Sequence, residues 1–184
     1  MLWSVFFRRR LIKIAKNEGK KFEEDFKKSC PDTCWIYRLK DNPAMFDNSV
    51  SKFTSYNICD FIMFDDLSHN LMLLELKSTK YNYMSLSMIR ETQIEGFKKI
   101  LKANHNIVCG FIFNFRGDDD NDTYFMSAQC FNTMVAVLGK KSFNKDDLEK
   151  YCAVKIPNEK KRTRYRYDLK WLAEYVADIT KGVW

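Results

Sequence analysis

The strongest constraint on the fold is an apolar run that does not alternate. Leu71-Met72-Leu73-Leu74-Glu75-Leu76-Lys77-Ser78 would present apolar side chains on both sides of an extended chain. Such a strand must be covered on both faces, inside a sheet packed between helices. Glu75 and Lys77, two residues apart, project from one face of it, the face that also carries Leu71 and Leu73. A second run, Asn57-Ile58-Cys59-Asp60-Phe61-Ile62-Met63-Phe64, holds Asp60 on the face of Ile58 and Ile62. Carboxylates in dry strands are costly unless paired, hydrogen-bonded or bound to metal, and three ionisable groups on neighbouring strands offset that cost together.

The remaining periodicity predicts helix over 17–29, where Phe22 and Phe26 lie four apart among charges. Strand is expected over 34–40, an exposed polar loop over 41–55, strand over 57–64, a turn from Asp65 to Asn70 and strand over 71–78. A helix at about 87–104 leads to a strand over 107–115, which pairs through an acidic turn with 124–127. Short helices over 128–138 and 145–151, an extended 162–167 and a helix over 169–180 complete the chain. The fold class is α/β, a mixed central β-sheet flanked by helices. With 184 residues, 3 Pro, 6 Gly and no repeat or linker, one domain over 1–184 is expected.

No apolar run approaches the roughly 18–20 residues that span a bilayer, so no membrane partner is expected. Met1 to Phe7 is apolar and Arg8-Arg9-Arg10 follows, the reverse of a secretory signal, and 1–16 reads as a basic N-terminal arm or helix. Of the six cysteines only Cys30 and Cys34 lie close together, and no second pair or nearby histidine completes a zinc set. These are the reduced thiols of a cytoplasmic protein, with Cys59 and Cys109 acting as small buried hydrophobes. His69 and His105 fall in polar, turn-like stretches and read as solvated.

The residue types at the two carboxylate strands suit phosphodiester hydrolysis. A divalent cation polarises the phosphoryl oxygen and acidifies a water, and a hard ion such as Mg²⁺ takes one or two carboxylates plus waters and substrate phosphate. Asp60 and Glu75 would supply them, with the Leu76 carbonyl beside them, while Lys77 would orient the attacking water or stabilise developing charge. Ile89, Gln93 and Phe97 are spaced four apart, so Gln93 lies on the helix face turned to the sheet, where it could hold a water. In the first helix Glu23 borders the apolar stripe and is a further candidate, with Glu24 and Asp25 as rivals.

Asn17-Glu18-Gly19 through Glu23, Arg38, Cys59-Asp60-Phe61, Leu74-Glu75-Leu76-Lys77-Ser78-Thr79, Arg90-Glu91-Thr92-Gln93-Ile94, Gly110-Phe111-Ile112 and Thr163-Arg164-Tyr165-Arg166-Tyr167-Asp168 follow one another over 17–168. In this order they resemble the PD-(D/E)xK nuclease superfamily and, within it, the RecU-type Holliday-junction resolvases of Gram-positive bacteria and their phages. The resemblance implies a restriction-endonuclease-like core and a dimeric, Mg²⁺- or Mn²⁺-dependent endonuclease that nicks two symmetric strands of branched, four-way DNA in a bacterial cytoplasm or nucleoid. It implies Asp60 and Glu75 as metal ligands, Lys77 as the catalytic lysine, Gln93 and Glu23 as supporting polar residues, and 41–55 as a protruding stalk. Cys59 stands where the superfamily motif has proline, the stalk segment holds a single cation, Lys52, and Met1 to Arg10 has no counterpart.

Lys and Arg exceed Asp and Glu by 31 to 24, a net charge of +7, concentrated over 8–28 and 155–170. In Lys160-Lys161-Arg162-Thr163-Arg164-Tyr165-Arg166 an extended chain would put Arg162, Arg164 and Arg166 on one face and the aromatic residues on the other, a phosphate track helped by Lys16, Lys20 and Lys21. Lys161, Arg38, Lys52 and Arg90 complete the expected DNA-contacting cations. The alternatives are a general or restriction-like nuclease on the same core, and a non-catalytic DNA-binding or recombination accessory protein. If about six phosphates are neutralised, DNA affinity is expected to fall by roughly a thousandfold or more between 50 and 200 mM salt. Fluorescence anisotropy across a salt series measures that slope, and a flat response removes the phosphate track.

Overall fold

A computed structural model of the protein describes residues 18–40, 57–103, 107–117 and 120–182. The expected N-terminal arm, the stalk segment 41–55 with Lys52, and the positions Lys16 and His105 lie outside the described residues. Helix α1 spans 18–28, followed by β1 (Cys34–Arg38), β2 (Phe61–Asp65), β3 (Asn70–Thr79) and β4 (Tyr83–Ser85). A 3₁₀ turn (Leu86–Met88) leads into α2 (Glu91–Ala103), then β5 (Ile107–Arg116), β6 (Asn121–Ser127) and α3 (Ala128–Leu138). The chain closes with β7 (Ser142–Asn144), α4 (Lys145–Lys150), β8 (Val154–Lys155), β9 (Asn158–Lys161), β10 (Arg164–Tyr167) and α5 (Leu169–Thr180).

Six strands form the central sheet in the order β1-β2-β3-β5-β6-β8, antiparallel except where β3 and β5 run parallel. The expected mixed sheet flanked by helices is present. Its parallel pair sits at the centre, where both faces are covered. Met72, Leu74 and Leu76 face α1 and α5, where they join Phe22, Phe26, Leu169, Leu172 and Val176 in one core. Leu73, Cys109, Phe111 and Phe113 face the other way and join Phe97 of α2 with Phe131 and Met134 of α3. Both thiols of Cys59 and Cys109 are buried, which pushes each up to about 12, and all six cysteines are free. His69 is an exposed turn residue at φ 58°. No helix among the described residues is long and apolar enough to cross a membrane.

Four boundaries differ from the sequence expectation for identifiable reasons. The run 57–64 enters the sheet only at Phe61, because the Leu76 N–H donates to the Asp60 side chain rather than to a main-chain carbonyl. The helix expected from about 87 begins at Glu91, since Ser85 caps a separate 3₁₀ turn and the Gln93 side chain accepts from the Arg90 N–H at the helix entrance. The stretch 162–167 is not one extended run. Arg162 and Thr163 turn the β9–β10 hairpin, Arg162 at φ 51°, so Arg162 does not share a strand face with Arg164 and Arg166. The turn over 65–70 is shorter than expected, since Asp65 pairs with Asn70 at the strand ends.

Gly110, in the middle of β5, is required by a close approach. A Cβ there would lie 2.4 Å from Cε2 of Phe125 and 2.9 Å from the Met126 carbonyl oxygen. The first contact could be relieved by a ring shift, but the second is with backbone. Gly110→Ala is therefore expected to destabilise the protein by about 1–3 kcal/mol through overpacking, read as a lower urea midpoint at unchanged slope.

Candidate active site

The register of β2 on β3 decides where the carboxylates meet. Phe61 pairs with Leu74, and the residue before that pair, Asp60, is bonded to the Leu74–Leu76 stretch of β3, which brings its carboxylate next to Glu75. Main-chain bonds hold the crossing segment: Asp60 N–H donates to Leu74 O at 3.1 Å and Leu39 N–H to Asp60 O at 2.8 Å. The Asp60 carboxylate then accepts the Leu76 N–H at 2.8 Å. Lys77 reaches back along its own strand, its Nζ 2.6 Å from Glu75 Oε1. Glu75 is 1% exposed, so this is a buried charge pair at the dry centre of the sheet.

Among the described residues, two buried side-chain polar atoms have no hydrogen-bond partner, Glu75 Oε2 and Gln93 Nε2. Both belong to the expected site. Gln93 is fully buried, between Ile89 and Phe97 in the layer joining α2 to the sheet. Gly96, one turn further along the same side of α2, touches Ile58, where an added Cβ would lie 2.5 Å from Ile58 Cγ2. The helix face that presents Gln93 is thus pressed against the segment that carries Asp60.

The electrostatics follow from that crowding. Burial pushes the Asp60 carboxyl up to about 6, and the neighbouring Glu75 charge pushes the same way. The Leu76 N–H, Lys77 and Arg38 pull against them. Two carboxylates facing one ammonium leave a local excess of negative charge. Among the described residues no three or more His, Cys, Asp or Glu cluster as a metal cage. The donors present still fit a hard divalent cation of the Mg²⁺ type, which is held through one or two carboxylates and keeps several waters. Asp60 and the unpartnered Glu75 Oε2 are the oxygens that would bind it.

Of the three candidate acids Glu23, Glu24 and Asp25 in α1, Glu23 is the one connected to this region. Its Oε2 lies 2.6 Å from Nε of Arg38, the arginine whose charge reaches Asp60. Glu24 and Asp25 instead bind Arg164, at 2.8 and 2.5 Å. The expected DNA-contacting cations are therefore not alike. Arg38 and Arg164 are held in ion pairs, Lys161 pairs with the exposed Glu159 at 2.5 Å, and Arg90, Arg162 and Arg166 are exposed.

A buried polar network at the far end of β3 was not anticipated from the sequence. Ser78 donates to Asn114, which donates to Asn121 and Thr123, at 2.8–2.9 Å. Asn121 continues to Asn158 and Tyr167, and Arg116 ties Tyr167 to Asp25 and Glu18. Asn114, the polar interruption of an apolar strand, was the available signal.

No family model matches the chain, and no curated protein matches its sequence. Among solved structures it is similar to Hjc of Archaeoglobus fulgidus, a Holliday junction resolvase from an archaeal hyperthermophile. The TM-score is 0.41 at 12% identity, over 83% of this chain and 94% of that one.

The raised Asp60 group gives a sign for stability against pH. Because its folded value lies near 6 rather than 3.8, the folded chain holds this proton more tightly than the unfolded one. The contribution favours folding below about pH 4 and is lost as pH rises through about 6. Asp60→Asn keeps the acceptor for Leu76 and removes the charge. In metal-free buffer it is expected to exceed wild type in urea stability by up to about 3 kcal/mol at pH 8, converging near pH 4.

Proposed function

We propose that the protein is a metal-dependent, structure-selective DNA endonuclease that resolves four-way junctions by paired symmetric nicks, acting as a homodimer with Mg²⁺ or Mn²⁺. The observation that carries this reading is the meeting of Asp60, bonded to the Leu76 N–H, with Glu75, whose second oxygen is buried and open and whose first lies 2.6 Å from Lys77. The motif order over 17–168 supports the same assignment.

A bound divalent ion would supply an acidified water and a polarised phosphoryl oxygen. The protein's own groups do the rest. Asp60 and Glu75 would hold the ion, and the Leu76 N–H fixes one Asp60 oxygen, leaving the other available. Lys77 sits where negative charge develops on the phosphoryl group, in a water-poor site where such a charge is worth more than at a surface. Gln93 is aimed from α2 with an unused N–H donor that can position the attacking water. Glu23 acts through Arg38 as a positioning residue. Two matched cuts need two such sites, which an isologous pair of subunits provides.

Phosphate contacts provide affinity and register but little base information, so cleavage is expected to depend on branched structure more than on sequence. A labelled four-way junction incubated with Mg²⁺ should yield two symmetric nicks, while linear duplex is cut far more slowly. Asp60→Ala or Glu75→Ala is expected to lower cleavage by about a hundredfold or more, with junction binding kept within a few-fold. A wild-type protein that binds junctions without cutting them in Mg²⁺ or Mn²⁺ returns the assignment to a non-catalytic DNA-binding protein.

A further inference from the structure

Beyond Lys77, β3 continues to Thr79, and Glu75, Lys77 and Thr79 lie on one face of the sheet in register with Phe111, Phe113 and Phe115 of β5. Thr79 Oγ1 accepts the N–H of Tyr81 at 3.1 Å, which sets the turn out of the strand. Tyr83 opens β4 and pairs with Asn144 of β7. The next residue, Met84, is fully buried and anchors that strand in the core. On this braced segment the rings of Tyr81 and Tyr83 stack, with centroids 5.5 Å apart and planes 20° from parallel. They are nonetheless 67% and 49% exposed, and Lys80 beside them is exposed as well.

Two large rings held in a fixed stack at the surface contribute little to the core, yet the backbone beneath them is pinned at both ends. We propose that Tyr81 and Tyr83 form a stacking platform for an unpaired base of the substrate DNA strand, with Lys80 neutralising the adjoining phosphate. This rests on the nuclease reading for its role in catalysis, though not for the binding itself. Tyr81 is four chain steps from Lys77, at most about 14 Å, and bases along one strand are about 3.4 Å apart. The platform therefore serves bases within about four nucleotides of the bond being cut.

The chemistry favours this ligand. Every base has a π-face, so stacking on tyrosine tolerates any sequence. A pre-stacked pair loses little freedom on binding. Linear duplex keeps its bases paired and continuously stacked, whereas a branch point interrupts the stack and leaves the bases beside it easier to unpair. The platform thus gives structure selection without base reading.

The test uses a short oligothymidine and a linear duplex of equal length, in buffer without divalent metal, so that binding is read independently of cutting. Tyr81→Ala and the double variant Tyr81→Ala Tyr83→Ala are expected to weaken oligothymidine binding by about fivefold to a hundredfold. Tyr81→Phe should bind as wild type does, and duplex affinity should stay within twofold for all three. Thermal melting of each variant confirms that it is folded. Unchanged oligothymidine affinity in the double variant overturns the platform, as does an equal loss on duplex. A loss in Tyr81→Phe also overturns it, since that would make the hydroxyl and not the ring the binding group. A wild type that cuts nothing but shows the selective loss keeps the platform and removes the nuclease. Junction cutting with unaffected oligothymidine binding in the double variant does the reverse.

Discussion

The structure turns on the burial of Glu75. A carboxylate at 1% exposure in the middle of a six-stranded sheet is tolerable only with its charge answered, and Lys77 answers it from two residues away on the same strand. Removing one member of such a pair leaves the other uncompensated, which costs more than the pair itself contributes. Asp60 adds a second negative group beside it, and the upward push of its carboxyl to about 6 is the thermodynamic mark of that addition. This is an arrangement that folding alone does not favour. A fully apolar β3, with an aliphatic residue at position 93, would pack against α2 with no unsatisfied oxygen and no orphaned amide. The local cost is concentrated where a cation and a polar substrate would offset it, as expected when binding rather than stability dictates the residues.

Much of this could be read from the chain because the relevant signals are local and periodic. Glu75 and Lys77 share a face by strand alternation, and Gln93 faces the sheet by helical spacing between Ile89 and Phe97. Both placements follow from backbone geometry once the element type is known. The helices over 128–138 and 169–180 were legible for the same reason, each having a full apolar stripe and a capping Ser127 or Asp168. Five features lacked such signals. Strands β4, β7 and β8 have two or three residues, too few to display a period. The β9–β10 turn uses Arg162 at positive φ rather than the usual glycine or asparagine, so alternating charge and aromatic residues looked like an unbroken strand. Nothing periodic distinguishes Glu23 from Glu24 and Asp25, since their partners are arginines 15 to 140 residues away.

That last point changes what the net charge means. Part of the positive surplus is spent inside the protein: Arg164 binds Glu24 and Asp25, and Arg116 binds Glu18 and Asp25. Arg116 also lies over the ring of Tyr165, 5.2 Å from its centroid. These contacts clamp the β9–β10 hairpin onto α1, with the Tyr165 and Tyr167 N–H groups bonded to Asp25 and Ser29. Residues that looked like a cationic track from their spacing are divided by this clamp into structural arginines and outward-facing ones, Arg162 and Arg166.

The clamp and β3 are joined. From Arg116 the polar network passes through Tyr167, Asn121 and Asn114 to Ser78, the residue after Lys77. Buried networks of this kind are costly when half satisfied and rigid when complete, and Asn114 is fully buried with both ends of its amide bonded. A DNA backbone held on Arg162 and Arg166 would therefore meet Asp60 and Glu75 at an offset set by fixed hydrogen bonds, not by the motion of a loop. For a reaction in which the protein supplies few groups, positioning carries most of the barrier reduction. An ångström of play between that hairpin and the carboxylates would be expensive, which gives the network a reason to run from the hairpin through β6 and β5 to β3.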